Sequence, residues 1–131
     1  MDVEYFQPFT RLKVPMVVLD TYFEELDCDS VLINNVQGAY LATNYLIDKG
    51  LGEIGYLRSS YPIGNFEERA DGYYKALRHH DLPTSHPYVH RLTPSMEGAY
   101  TDMSEILREK PPVAPAYFCL LYTSPSPRDR Q

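Results

Sequence analysis

Apolar residues along this chain fall into short unbroken runs separated by stretches with helical spacing, and that alternation predicts strands and helices in turn. Lys13 to Asp20 (KVPMVVLD) is such a run, with Pro15 near its start, and it predicts a short buried strand. Before it, Tyr5, Phe6, Phe9 and Leu12 fall roughly on one side of a helix end covering Glu4 to Leu12. A loop rich in acids (Glu24, Glu25, Asp27, Asp29) leads to a second strand at Val31-Leu32-Ile33. A helix follows, with Asn35 as its N-cap and Ala39, Ala42, Leu46 and Ile47 at helical intervals. Lys49 suits its last turn, and Gly50 is placed as a left-handed C-terminal cap.

Ile54-Gly55-Tyr56-Leu57 reads as the next strand. The helix after it, Phe66 to about His80, is punctuated at both ends. Asn65 can cap it, Glu68 lies three residues on as in a capping box, and Arg78, His79 and His80 suit its negative end. Asp81-Leu82-Pro83 stops it, and Tyr88 to Leu92 is a strand that includes His90. A third helix covers about Ser95 to Arg108, with Met96, Tyr100, Met103, Ile106 and Leu107 on its apolar side. The stiff segment Pro111 to Pro115 then leads into a last strand, Ala116-Tyr117-Phe118. Strands alternating with helices in this way predict an α/β fold built on a parallel, helix-covered sheet. No internal repeat is present.

Composition adjusts this picture in two places. With 131 residues, 44% hydrophobic and 23% charged, the chain is of ordinary globular make-up and long enough to bury a core. The net charge of −6, with scattered Lys and Arg, argues against nucleic-acid binding by this segment itself. Cys28 and Cys119 lack metal-type spacing and read as free thiols of a reducing compartment. No stretch reaches the apolar length of a membrane span, and Met1-Asp2-Val3-Glu4 does not resemble a signal peptide. After Phe118 the pattern breaks. Cys119 to Gln131 (CLLYTSPSPRDRQ) is read either as a disordered tail or, preferably, as something that resembles translated sequencing-adapter sequence. Its charged residues are Arg128, Asp129 and Arg130, so discounting it leaves the acidic balance in place.

Most of the candidate chemistry dissolves on inspection. Gly50-Leu51-Gly52-Glu53-Ile54-Gly55 matches G-x-G-x-x-G literally, but a dinucleotide site needs those glycines to follow a strand and open a helix. Here a helix ends and a strand begins, so a cap and a tight turn explain them better. His79 and His80 are adjacent on a helix, and His86 and His90 flank Pro87, with no Cys or carboxylate completing a metal set. No G-x-S-x-G is present, and Ser59-Ser60 has no His close in sequence. No catalytic residue, metal or cofactor is expected. Arg69 differs. It lies early in its helix, where a cation opposes the macrodipole, and a solvent-facing pair with Glu68 is the bland explanation. Position favours another. In open parallel sheets ligands sit at the carboxyl ends of the strands, and the loop Arg58 to Asn65 and Arg69 occupy that place after Ile54–Leu57. Gly72, one turn on, would let the helix lie close against the sheet.

The series Val14 to Asp20, Val31-Leu32-Ile33-Asn34-Asn35 with Gly38-Ala39, Ala42-Thr43, Leu46-Ile47 with Gly50, Ile54 to Leu57, and Arg69-x-x-Gly72-Tyr73 closely resembles the lactose-repressor/galactose-repressor (LacI/GalR) family, from about residue 10 to Phe118. The resemblance implies a periplasmic-binding-protein-like effector domain of two α/β lobes, here truncated at both ends. It implies that residues 1–35 are a remnant of the first lobe, 36–118 a partial second lobe, and 119–131 a tail foreign to the fold. By position, Asp20 matches an acid facing the cleft and Arg69 the arginine that clamps the effector. Phe66 would stack on an apolar ligand face, and Asn65, Ser60 and Tyr61 would add polar contacts. The implied ligand is a sugar or sugar phosphate. The implied setting is a cytoplasmic repressor that dimerises and binds operator DNA through an N-terminal helix-turn-helix outside this sequence. The sequence departs from the family at Leu51, where His is usual, and at Asn34, where Asp is frequent. An Asn-Asp pair expected soon after Phe118 is missing. An exported sugar-binding protein of a transport system is the alternative, and a sugar-modifying enzyme a weaker third.

Overall fold

The computed structural model describes residues 3–84 and 87–119, and the chain divides into two compact units, Met1–Asn34 and Asn35–Gln131.

In the first unit a 3-10 turn, Val3–Phe6, runs into helix α1 (Gln7–Arg11). Pro8 sits in the first turn of α1, where a missing N–H leaves no bond unmade. Strand β1 (Val17–Leu19) pairs in parallel with β2 (Asp29–Val31), in the register Val17 to Asp29 and Leu19 to Val31. Both strands correct the sequence reading. The apolar run from Lys13 predicts a longer buried strand, yet a ladder extends only as far as its partner, and β2 is three residues long. Alternation then buries Val18 alone and leaves Val17 and Leu19 exposed on the opposite face. The second strand also begins earlier than expected, so Leu32 and Ile33 lie beyond it, exposed. Phe6 and Phe23 supply the unit's aromatic contact, with ring centroids 5.3 Å apart.

The second unit runs α2 (Asn35–Asp48), β3 (Ile54–Ser59), α3 (Gly64–His79), β4 (Val89–Leu92), α4 (Met96–Arg108) and β5 (Ala116–Cys119). The sheet has the order β4-β3-β5, parallel throughout, with Tyr56 opposite Val89 on one side and Phe118 on the other. This is the parallel, helix-covered sheet that the alternation of runs predicts. The core gathers Ile54, Tyr56, Ala70, Tyr73 and Leu77, with Leu46, Ile47, Phe66, Val89 and Phe118 packed around them. The ring of Tyr56 stacks on Tyr73 at 4.7 Å and on Phe118 at 5.4 Å, so one strand residue joins α3 to β5. Tyr73 donates its hydroxyl to the Ile54 carbonyl at 2.6 Å.

Helix α2 buries Asn35, Ala39 and Thr43, a line of i, i+4 neighbours, while Ala42 is exposed; the inward stripe is therefore rotated from the expected one. Gly50, at φ +83°, ends the helix in the left-handed cap, and its N–H returns to the Ile47 carbonyl at 2.9 Å. The literal glycine motif is thus a helix end followed by a strand.

Three further expectations are corrected. Helix α3 begins at Gly64, with Ile63 in the N-cap position and no side-chain cap. Asn65 therefore lies inside the first turn, and the Ile63 carbonyl already receives the N–H groups of Phe66 and Glu67. Gly72 faces α2 rather than the sheet. A β-carbon there would meet the Val36 carbonyl and come within 2.8 Å of the Ala39 Cβ. Helix α4 has the expected Ser95 cap, whose hydroxyl accepts from the Gly98 N–H at 3.1 Å. Its apolar side, however, is not a buried face: no residue of α4 is buried, and Met96 and Tyr100 are each 77% exposed. Periodicity identifies an apolar side of a helix but not what covers it.

Candidate functional site

The chain leaves the central strand at Ser59 and enters α3 at Gly64, after four intervening residues, at the carboxyl edge of the sheet. Two short bonds shape this loop. The buried Ser59 hydroxyl accepts from the Tyr61 N–H at 3.0 Å, and the Ser60 N–H reaches the Leu92 carbonyl at 2.9 Å. The first fixes the turn, and the second joins it to the end of β4. Ser60 and Tyr61 are thereby held exposed on the edge.

Charges of both signs gather at the strand end and the first turns of α3. Arg58, only 13% exposed at its side chain, donates through Nη2 to both oxygens of Glu67, at 3.1 and 3.2 Å. A carboxylate early in a helix also suits the positive N-terminal dipole. Arg69 is held differently. Its Nε donates to Oδ1 of Asn35 at 2.9 Å, and Nδ2 of the same amide donates to Oε2 of Glu68 at 3.0 Å. The expected pairing of Arg69 with Glu68 thus runs through an intervening amide. Asn35 is 5% exposed, so this link lies in a low-dielectric setting. Close approach at Gly72 makes it possible, because it brings the start of α2 beside the start of α3.

A second loop follows β4. The Thr93 N–H donates to Oδ2 of Asp102 at 2.7 Å, and the Ser95 N–H reaches the Thr93 carbonyl at 2.8 Å. The bond from Thr93 holds the Asp102 carboxyl below its usual range. With Ser95 capping α4, this loop is pinned at three points.

Of the residues expected to form a site, Ser60, Tyr61, Asn65, Phe66 and Arg69 all belong to this edge of the second unit. Asn65 is half-buried in the opening turn of α3. Phe66 is half-buried as well, and part of its ring packs on the core. Asp20 belongs to the first unit. It follows directly on β1 in the left-handed region, at φ 60°, and its N–H donates to the Val31 carbonyl at 2.9 Å. Asp tolerates that region better than most residues, and such positions recur at functional sites. Sequence reasoning placed Ser59 in the edge loop but missed Asn35, Thr93 and Asp102 as parts of the edge. The one available signal was the buried asparagine opening α2, which local spacing reads as a helix cap.

The histidines have local partners. His80 Nε2 lies 2.9 Å from Oδ1 of Asn44, His79 meets the Tyr40 ring edge-on at 6.1 Å, and His90 stacks on Tyr117 at 6.5 Å. His86 lies outside the described residues, as does the tail beyond Cys119. Among the described residues no group of three His, Cys, Asp or Glu is placed to hold a metal ion. Cys28 and Cys119 are free thiols. No helix among these residues is long and apolar enough to cross a membrane.

Guanidinium, hydroxyl and amide groups thus lie along the carboxyl edge of a parallel sheet, the edge at which open α/β sheets bind ligands. Comparison with known proteins bears on this. The family described as periplasmic binding proteins and sugar-binding domain of the LacI family matches residues 8–121. The transcriptional repressor PurR of Actinobacillus pleuropneumoniae is 32% identical over 112 residues, covering 85% of this chain and 33% of that protein. The transcriptional regulator GalR of Salmonella typhimurium is 34% identical over 92 residues, covering 70% of this chain and 27% of that protein. The chain thus spans about a third of the length of these relatives. Among solved structures, a LacI-family regulator from Enterococcus faecium with bound ribose superposes with a TM-score of 0.74 at 24% identity, over 91% of this chain and 43% of that one. A LacI-family transcriptional regulator from Burkholderia phymatum gives 0.75 at 24% identity, over 91% and 43%.

Proposed function

Because the chain belongs to the family of periplasmic binding proteins and LacI-type sugar-binding domains, we propose that it is the effector-sensing part of a bacterial transcriptional repressor. In this reading the unit ending at Asn34 belongs to one lobe of a two-lobed domain and the unit opening at Asn35 to the other, one residue before the boundary expected from the sequence. A sugar or sugar phosphate is gripped by Arg69, with Ser60, Tyr61 and Asn65 as further polar partners and the exposed part of Phe66 against an apolar ligand face. Asp20 is a further acceptor of ligand hydroxyls. The intact protein is cytoplasmic, dimerises and binds operator DNA, and effector binding shifts it between two arrangements of the DNA-binding heads. It catalyses no reaction.

The observation that carries this reading is the held guanidinium at the carboxyl edge of β3: Arg69, with its Nε on Asn35 at 2.9 Å. A planar fork of donors fixed in orientation suits paired sugar hydroxyls and phosphate oxygens. PurR and GalR are transcriptional regulators, which supports the repressor reading over a transport protein.

The test is calorimetry of the intact protein against free and phosphorylated pentoses and hexoses. Hydrogen bonds to a charged group contribute about 1.5–3 kcal/mol each, so Arg69→Ala should weaken effector binding by roughly 100-fold. Unchanged affinity in a folded Arg69→Ala protein would remove Arg69 from the site.

A further inference from the structure

We propose that Asn35 is a positioning residue that sets the plane of the Arg69 guanidinium; its consequence for binding rests on the reading of Arg69 given above. Asn35 opens α2, thirty-four residues before Arg69, and its amide is almost wholly buried. The orientation of that amide is dictated by chemistry. An arginine can only donate, so it must face the oxygen, and an ionised glutamate can only accept, so it must face the nitrogen. The two distances, 2.9 and 3.0 Å, fit that assignment and no flipped one. Both ends of one side chain are thus committed, to Arg69 and Glu68, neighbours in the second turn of α3.

The geometry of the guanidinium makes the choice of nitrogen matter. Its five N–H groups lie in one plane. A bond at Nε fixes the rotation of that plane about the side chain and directs ligand contact to the terminal Nη groups. An arginine gripping a ligand from a flexible stem would lose side-chain freedom on binding. One already held at Nε has lost much of that freedom before the ligand arrives. Asn35 supplies the hold from a different helix, and Glu68 fixes the amide that does the holding. Helix capping would account for an asparagine at this position, but not for its burial or for its two partners on α3. Its burial without an apolar role is what the relay explains.

The first test uses the intact protein alone, with no ligand added. Nitrogen-15 NMR of arginine side chains reports the exchange of the Arg69 Nε–H with water. Asn35→Ala is expected to speed that exchange at least tenfold. Asn35→Asp keeps an acceptor for Arg69 but sets a second carboxylate against Glu68 in place of the donor, so it should retain the protection of Arg69 while Glu68 turns away. It also serves as the second variant if Asn35→Ala folds poorly. Unaltered exchange in Asn35→Ala would overturn the proposal. Binding supplies the other arm, with D-ribose, D-galactose and D-ribose 5-phosphate as probes. For any probe that binds, Asn35→Ala should lower affinity about tenfold, the scale of one charge-assisted bond, and should cost nothing further in an Arg69→Ala background. A loss that adds in full to that of Arg69→Ala would mean that Asn35 acts by another route. If Arg69→Ala leaves binding intact while the exchange result holds, the effector assignment fails and the positioning stands.

Discussion

Gly72 of α3 lies so close to Ala39 of α2 that a β-carbon on it would come within 2.8 Å of the Ala39 Cβ. The Tyr40 nitrogen would be at 2.9 Å and the Val36 carbonyl oxygen nearer still, so backbone would have to move. Gly72→Ala gains about 1 kcal/mol of helix propensity but incurs the 1–3 kcal/mol or more typical of overpacking. The net expectation is a loss of stability, measured by urea unfolding. An equal or higher midpoint would show that the two helices separate easily.

Tyr73 and Tyr56 are a matched pair with opposite expectations. The Tyr73 hydroxyl has a partner in the Ile54 carbonyl, and Tyr73→Phe should cost about 1 kcal/mol. The buried hydroxyl of Tyr56 has no hydrogen-bond partner among the described residues, so Tyr56→Phe should be neutral or stabilising. Thermal melts of the two variants decide it, and a Tyr56→Phe loss as large as that of Tyr73→Phe would contradict the pairing.

The same two phenols set a limit in alkali. Burial is the main reason that both ionise well above the usual tyrosine value of 10.0. A group whose folded pKa is raised contributes stability that is intact below its unfolded value and lost as the pH climbs beyond it. Unfolding should therefore become progressively easier above about pH 10. Absorbance of tyrosinate at rising pH, compared with the Tyr56→Phe and Tyr73→Phe proteins, should show these two phenols ionising only with unfolding. Their ionisation in the folded protein would refute this.

At the acid end the relevant group is Asp102. Hydrogen bonding from the Thr93 side chain, and then from its N–H, lowers its pKa from the ordinary 3.8, so its contribution is present above that value and lost as the pH falls through the depressed one. Asp102→Asn should speed exchange of the Thr93 amide at pH 7 and make little difference near pH 2. Equal protection in both proteins at neutral pH would show that the carboxylate does not hold the loop.

How far the sequence reaches is clear from particular residues. Ile54 to Leu57 is legible as a central strand because a parallel strand buried on both faces is an unbroken apolar run. Gly50 is legible because a helix end demands a positive φ there. The Asn35 relay is not, since helical periodicity carries no information across thirty-four residues. Nor is the neighbour of Gly72 legible: a missing Cβ signals close approach without saying to what. Asn65 illustrates a third kind of miss. Its side chain is a good cap, but the helix starts one residue before it, and boundaries follow backbone bonding rather than side-chain preference. Of the candidate site, the edge that holds Arg69 follows from topology, while the residues that fix its geometry come from other segments.

The three-residue ladder of the first unit has a consequence for the order in which the chain acquires structure. Val18 is the one buried apolar side chain among the described residues of Met1–Asn34, whereas Asn35 onward holds the aromatic stack on Tyr56. Cooperative folding requires enough mutual burial to offset chain entropy, and only the second unit has it. Protection from hydrogen exchange should therefore appear first in β3 and α3. The β1–β2 pair should open most often, a local equilibrium nested within the stability of the rest.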